Sequence, residues 1–191
     1  ASGCTNYQGE VWYRKHFTPV DEWKNKKLFL HFEAIMGKSK IWINGHLVNE
    51  HFGGYLPVIA DVTAYVDFGK DNVIAVCADN SDDPSYPPGK AQDVLDFTYS
   101  GGIYRDCWLI AHNDVYITDP NYENKVAGGG LFVAYNNVSE ESADVLLDIQ
   151  VRNDRKQSFN GKVVYELLDA NGGKVGEAGR KLSIGKGKAV S

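Results

Sequence analysis

A chain of 191 residues that is 43% hydrophobic and 12% aromatic has the composition of a globular protein, with enough apolar side chains to bury a core in one large or two smaller β-domains. Its net charge of −5 provides no basic footprint for a phosphate backbone, which argues against nucleic acid as a partner. No apolar run reaches the length of a membrane-spanning helix, and the opening ASGCTNYQGE lacks the apolar stretch of a signal peptide, so no membrane partner is expected.

Period-two alternation runs through almost the whole chain. LFLHFEAI (28–35) places Leu28, Leu30 and Phe32 on one face of a strand. IWINGHLV (41–48) sets Asn44-Gly45 between two apolar runs, a hairpin signal because both turn residues must tolerate positive φ. Cys77 lies in the strand-like NVIAVCADN (72–80) and Cys107 in YRDCWLIAH (104–112). Both are expected to be buried free thiols, with a bridge open to them only if their strands are neighbours; a third cysteine, Cys4, makes no framework. Trp12, Tyr13, Phe32, Trp42 and Trp108 are strand aromatics, expected to pack in the core or on sheet faces. Arg14 and Arg105 are expected to pair with acids such as Glu33 or Asp106.

Between two of these strands the pattern breaks. From Asn80 to Val94 the chain is rich in Asp, Ser, Pro and Gly, and it continues through LDFTYSGG before the alternation resumes. Connections in compact domains usually run roughly 4 to 6 residues, so a loop this long points to a task beyond joining strands. Gly101-Gly102 is expected to let the chain bend into the strand at Tyr104.

A boundary falls between Ile110 and Gly130, giving domains 1–115 and 116–191, with DPNYENKVAGGG (119–130) as the loosened segment near the start of the second. In that second domain ADVLLDIQVRN (143–153) aligns Val145, Leu147, Ile149 and Val151 as one buried face, and turns are expected at Asn160-Gly161 and in DANGGK (169–174). No helical stripe persists beyond a turn or two. The fold class is therefore all-β, two consecutive antiparallel sandwiches. The second is shorter than a seven-stranded sandwich of about 100 residues, so the chain is expected to be a truncated part of something larger.

Chemistry-bearing motifs are few. The five histidines have no zinc-ligand spacing, no glycine-rich phosphate loop precedes a helix, and Asn137-Val138-Ser139 is a glycosylation triplet that chance readily supplies. No cofactor or metal site is expected. Asn49-Glu50 sits in GHLVNEHFGGY and reads as part of a strand motif.

Four segments, GEVWYRKHF (9–17), LHFEAIMGKSKIWINGHLVNEHFGGYLPVIADVT (30–63), DNVIAVCADN (71–80) and DFTYSGGIYRDCWLI (96–110), stand in an order and spacing that resembles the N-terminal jelly-roll domain of glycoside hydrolase family 2, which contains β-galactosidases, β-glucuronidases and β-mannosidases. The resemblance covers nearly all of residues 9 to 115, and the segment 116–191 is similar to the family's immunoglobulin-like second domain in strand pattern and position. It implies a jelly roll followed by an immunoglobulin-like sandwich, with a (β/α)₈ barrel of the same polypeptide supplying the two catalytic glutamates of a retaining hydrolase outside this chain. It also implies a β-linked carbohydrate, most readily a terminal β-galactoside, and predicts that this chain by itself hydrolyses no aryl β-glycoside. A free-standing carbohydrate-binding or adhesion module is the alternative; it would display an aromatic platform, whereas the glycosidase fragment needs a polar loop.

The resemblance extends to single residues. DFTYSGGIYR aligns with a family motif in which an Asp, six positions before a Gly-Ile pair, leaves the jelly roll and contacts the sugar, and Asp96 occupies that position. Asn80, at the start of the same loop, is implied to bind substrate or to hold the loop. The sequence departs from the motif at Thr98 and Ser100, where relatives often carry bulkier residues.

Overall fold

The computed structural model describes residues 7–97, 99–126 and 128–191, so Cys4 and Thr98 lie outside the described residues. The chain divides into two compact units, Ala1–His112 and Asn113–Ser191.

Among the described residues the first unit contains seven strands, β1 (Glu10–Phe17), β2 (Lys27–Phe32), β3 (Lys38–Ile43), β4 (His46–Phe52), β5 (Val58–Asp61), β6 (Asn72–Asp79) and β7 (Cys107–His112). They form one sheet in the order β1-β6-β3-β4 and another in the order β5-β2-β7, with every pairing antiparallel. The face predicted for β2 is realised: Leu28, Leu30 and Phe32 are buried in one cluster with Ile41 and Ile43 of β3, Val58 and Ala60 of β5, and Val76 and Ala78 of β6, while Phe29 on the opposite face is buried as well. Each such large side chain stabilises the jelly-roll sandwich by roughly 1.5–3 kcal/mol relative to an exposed position.

The hairpin joining β3 and β4 turns at the predicted dipeptide, with Asn44 at φ 49° and Gly45 at φ 84°. Asn44 also fixes the turn laterally. Its Nδ2 donates to Asn72 Oδ1 at 2.7 Å and its Oδ1 accepts from Val73 N at 2.9 Å, so one side chain ties the hairpin to β6.

As expected of strand aromatics, Phe32 packs in the core and Trp12 stacks on Trp42 on the outer face of its sheet with ring centroids 5.3 Å apart, although Trp12 and Trp108 remain 53% and 54% exposed. Other expectations for this unit are corrected. Arg105 lies over the Tyr104 ring at 5.5 Å, a cation–π contact, and Glu33 accepts from Trp108 Nε1 at 3.1 Å. Cys77 on β6 is buried, but Cys107 is exposed, because it begins an edge strand of the other sheet; both thiols are free. Although the Cys107 residue is exposed, burial around its sulfur pushes the thiol up to about 11, and burial likewise raises Cys77. With Cys4 replaced by serine, alkylation of the folded protein should reach Cys107 first, at a rate climbing about tenfold per pH unit from pH 8 to 10 as thiolate forms. Cys77 should react only on unfolding, and equal early labelling of both would contradict the placement of β6.

The second unit contains β8 (Val115–Ile117), the short helix α1 (Pro120–Glu123), β9 (Leu131–Asn136), β10 (Asp144–Ile149), β11 (Val151–Asn153), β12 (Phe159–Leu168), β13 (Lys174–Ile184) and β14 (Lys188–Val190). Its sheets run β14-β11-β8, β10-β9 and β12-β13 in an immunoglobulin-like sandwich. Asp119 caps α1 by accepting from Asn121 N and Tyr122 N, and Asn124 ends it in the left-handed conformation. The core consists of Ile149, Val151 and Ile184, flanked by Val115, Phe159, Val163 and Tyr165.

Two expectations for this unit fail for identifiable reasons. The continuous strand over 143–153 breaks at Gln150, whose N–H donates to Gly130 O and whose carbonyl accepts from Thr118 N, and its two halves enter different sheets. Val145 and Leu147 therefore stay 38% and 37% exposed while Ile149 and Val151 are buried. Asn160-Gly161 is not a turn; it lies within β12, opposite Ser183 and Leu182. A Cβ on Gly161 would stand 2.3 Å from the ring of Phe159, so this glycine leaves room for an aromatic ring instead of bending the chain.

Candidate functional site

The long loop spans residues 80–106, between β6 and β7. Its outgoing leg is built from two Asp-x-Ser turns. Asp79 Oδ1 accepts from Ser81 N and Ser81 Oγ at 2.9 and 2.6 Å, and Asp83 Oδ1 accepts from Ser85 N and Ser85 Oγ at 2.8 and 2.5 Å. The second oxygen of Asp83 reaches back to the sandwich, where Lys38 Nζ lies 2.7 Å from Oδ2.

Asn80 is buried at the root of this leg. Its Oδ1 accepts from Gly9 N at 2.9 Å, its Nδ2 donates to Tyr7 O at 3.0 Å, and its carbonyl accepts from Gln92 Nε2 at 2.5 Å. One residue thus links the segment before β1 to the root of the loop and to Gln92 farther along it. Asp82 Oδ1 receives Gln92 N at 3.0 Å and Gln8 Nε2 at 3.2 Å.

The returning leg is fixed equally well. Met36 N donates to Gly102 O at 2.9 Å, Ile35 and Ile103 form an isolated bridge, and Tyr104 Oη donates to Gly54 O at 2.5 Å. Gly101-Gly102 does bend the chain, and at close quarters: Gly102 has φ 72°, and a Cβ there would lie 2.1 Å from Tyr13 Oη. A Cβ on Gly101 would lie 2.7 Å from Asn80 Nδ2. Within the loop, Tyr86 is buried with its ring 6.3 Å from that of Phe52, and burial pushes the Tyr99 hydroxyl up to about 12.

Between the anchored legs, a 3-10 turn at Gln92–Val94 leads to Leu95 and then to Asp96, which is exposed. Among the described residues the Asp96 carboxylate takes no hydrogen-bond or ion-pair partner. The arrangement brings Asn80 and Asp96 into one loop but gives them different surroundings. Asn80 spends its side chain on the backbone of residues 7 and 9, whereas the Asp96 carboxylate, an acceptor at both oxygens when ionised, is bound by none of the described residues. The anchoring contacts of Lys38, Asp83 and Gln92 carry no local sequence signature, whereas the repeated Asp-x-Ser of DNSDDPS is the signal for the ordered turns.

The remaining candidates resolve structurally. Asn49 Nδ2 donates to Ile59 O at 2.9 Å, and Glu50 pairs with Lys40 at 3.3 Å on the sheet surface. Among the described residues no group of three His, Cys, Asp or Glu side chains could hold a metal ion, and no helix is long and apolar enough to cross a membrane.

A family model described as "Glycosyl hydrolases family 2, sugar binding domain" matches residues 1–113. A β-galactosidase of Thermoanaerobacter pseudethanolicus is 32% identical over 168 residues, covering 87% of this chain and 21% of the relative. A β-glucuronidase of Formosa agariphila is 31% identical over 188 residues, covering 96% and 19%. Among solved structures, Bacteroides uniformis β-glucuronidase 2, covalently bound to cyclophellitol-6-carboxylate aziridine, superposes with a TM-score of 0.84 at 30% identity, covering 96% of this chain and 21% of that one. The chain thus spans about a fifth of the length of these proteins.

Proposed function

The chain belongs to glycosyl hydrolase family 2, and from that membership we propose that it is the non-catalytic N-terminal portion of a retaining β-glycosidase acting on terminal β-galactosides. In this reading a (β/α)₈ barrel of the same polypeptide supplies the acid/base and nucleophile glutamates, and the 80–106 loop delivers Asp96 to its sugar subsite. One observation carries the proposal: both legs of the loop are tied down by named hydrogen bonds, yet Asp96 between them is exposed and its carboxylate has no partner among the described residues. A loop ordered at such length to display an acceptor suits a hydroxyl-rich ligand, since ionised Asp accepts from two hydroxyls and donates to none.

A β-glucuronide is the second reading, favoured by the relatives and solved structures that carry the name β-glucuronidase. Both sugars offer ring hydroxyls to Asp96. A glucuronide also brings a carboxylate, whose repulsion by Asp96 would have to be offset by cations elsewhere, so the neutral sugar is the first reading. The full-length protein should be assayed with p-nitrophenyl β-D-galactoside and p-nitrophenyl β-D-glucuronide, where a galactoside preference of about tenfold or more in kcat/KM is expected. The reverse preference selects the glucuronide, and hydrolysis of neither overturns the assignment.

A further inference from the structure

We propose that Lys38 and Asp83 form a positioning pair that holds the Asp96 loop against the end of β3, an inference that rests on Asp96 being the sugar contact. Lys38 is the first residue of β3 and stands opposite Asp79, the last residue of β6, so it sits where the loop leaves the sandwich. Its ammonium lies 2.7 Å from Asp83 Oδ2, four residues out along the loop.

The pair is more than a surface coincidence of charges. The lysine side chain is 37% exposed and the aspartate 19%, and the other carboxylate oxygen is already committed to two bonds from Ser85. Asp83 therefore has a fixed direction before the lysine arrives, which removes much of the side-chain freedom that weakens exposed ion pairs. Hydrogen bonding from Lys38 holds the Asp83 carboxyl well below the usual carboxylate range, and the lysine is raised in turn, so both stay charged through the pH range of a neutral enzyme.

From Asp83 the restraint passes to the Asp96 side of the loop through short links. Asp82, its neighbour, accepts from Gln92 N, and Asn80 accepts from the Gln92 side chain. Gln92 opens the 3-10 turn whose end precedes Asp96 by two residues. Cutting the Lys38 tie frees the outgoing leg, and with it the platform on which Gln92 rests. Placement errors near 1 Å at a binding group can cost large factors in rate, so a modest loosening is sufficient.

The test uses the full-length protein with Lys38→Met, Lys38→Arg, Asp96→Ala and the double variant Lys38→Met/Asp96→Ala. Lys38→Met keeps the length of the side chain and removes its charge. Amide exchange over residues 90–103 should accelerate about tenfold in Lys38→Met and stay near the wild-type rate in Lys38→Arg. Activity should follow, with kcat/KM down about tenfold in Lys38→Met, within about threefold of wild type in Lys38→Arg, and no lower in the double variant than in Asp96→Ala alone. Unchanged exchange, or a costly Asp96→Ala beside a silent Lys38→Met, overturns the positioning pair. So does a Lys38→Met loss of equal size with and without Asp96, because the lysine would then be acting through general stability. A silent Asp96→Ala instead removes the underlying sugar contact, so the two failures are told apart.

Discussion

Replacing Asp96 with alanine in the full-length protein is expected to lower kcat/KM by about 2 kcal/mol or more, roughly thirtyfold, with almost no change in melting temperature. The two halves of this expectation come from different features. Stability is spared because Asp96 is exposed and its carboxylate has no hydrogen-bond or ion-pair partner among the described residues. Activity suffers if Asp96 is the proposed sugar contact, because hydroxyls that donate to the carboxylate lose their acceptor, and a desolvated donor left unpaired costs more than the net worth of the bond. Asp96→Asn should fall between, since the amide retains one acceptor oxygen but turns two donors toward hydroxyls that could rotate to suit them. Steady-state kinetics beside a thermal melt decides the matter. A variant of full activity, or one whose loss tracks unfolding, would show that Asp96 merely solvates its loop.

What the sequence disclosed and what it withheld divide along the range of the interactions. Period two in β2 revealed its buried face because a strand facing a second sheet exposes each alternate side chain to the same environment. Asn44-Gly45 revealed its turn because the backbone itself demands residues that accept positive φ. The same dipeptide at Asn160-Gly161 misled, since there the reason for glycine is the Phe159 ring two residues back, a packing fact with no local backbone signature. Gln150 misled likewise: alternation continues through it, and only its bonds to Gly130 and Thr118 send the chain into another sheet. In the loop, length and composition set it apart from an ordinary connection, and the family motif singled out Asp96 for the role proposed above. The anchors stayed hidden because the Lys38–Asp83 and Gln92–Asn80 links join residues 45 and 12 positions apart, and no single-chain pattern marks such a pair. Cys107 was misplaced because strand-like sequence does not distinguish an edge strand from a central one.

The largest loss of stability in the first unit is expected from Gly37→Ala. Gly37 sits at φ +86°, immediately before β3, and a Cβ there would lie 2.0 Å from Asp79 O, 2.9 Å from Asp79 C and 3.1 Å from Asn80 Cα. All three are backbone atoms of the strand end from which the loop departs, so no side-chain rotation can make room. They cannot retreat cheaply either, because Lys38 is paired with Asp79 in the β3–β6 register and the Gly37 carbonyl accepts from Gly53 N at 3.0 Å. Gly45 supplies the comparison. It has nearly the same φ, +84°, with nothing within 4 Å of its would-be Cβ, so Gly45→Ala meets the left-handed penalty alone, about 1 kcal/mol. Gly37→Ala meets that penalty and the collision together, and should cost about 4 kcal/mol, in the range reserved for a small set of severe core and backbone defects. Native-state exchange of the β3 and β6 amides in the full-length protein reads both variants on one scale. Since the collision falls on Asp79 and Asn80, Gly37→Ala should also unseat the anchored loop and depress kcat/KM, whereas Gly45→Ala should leave activity alone. Equal protection in the two variants would mean that β6 does not pass as close to Gly37 as the structure places it.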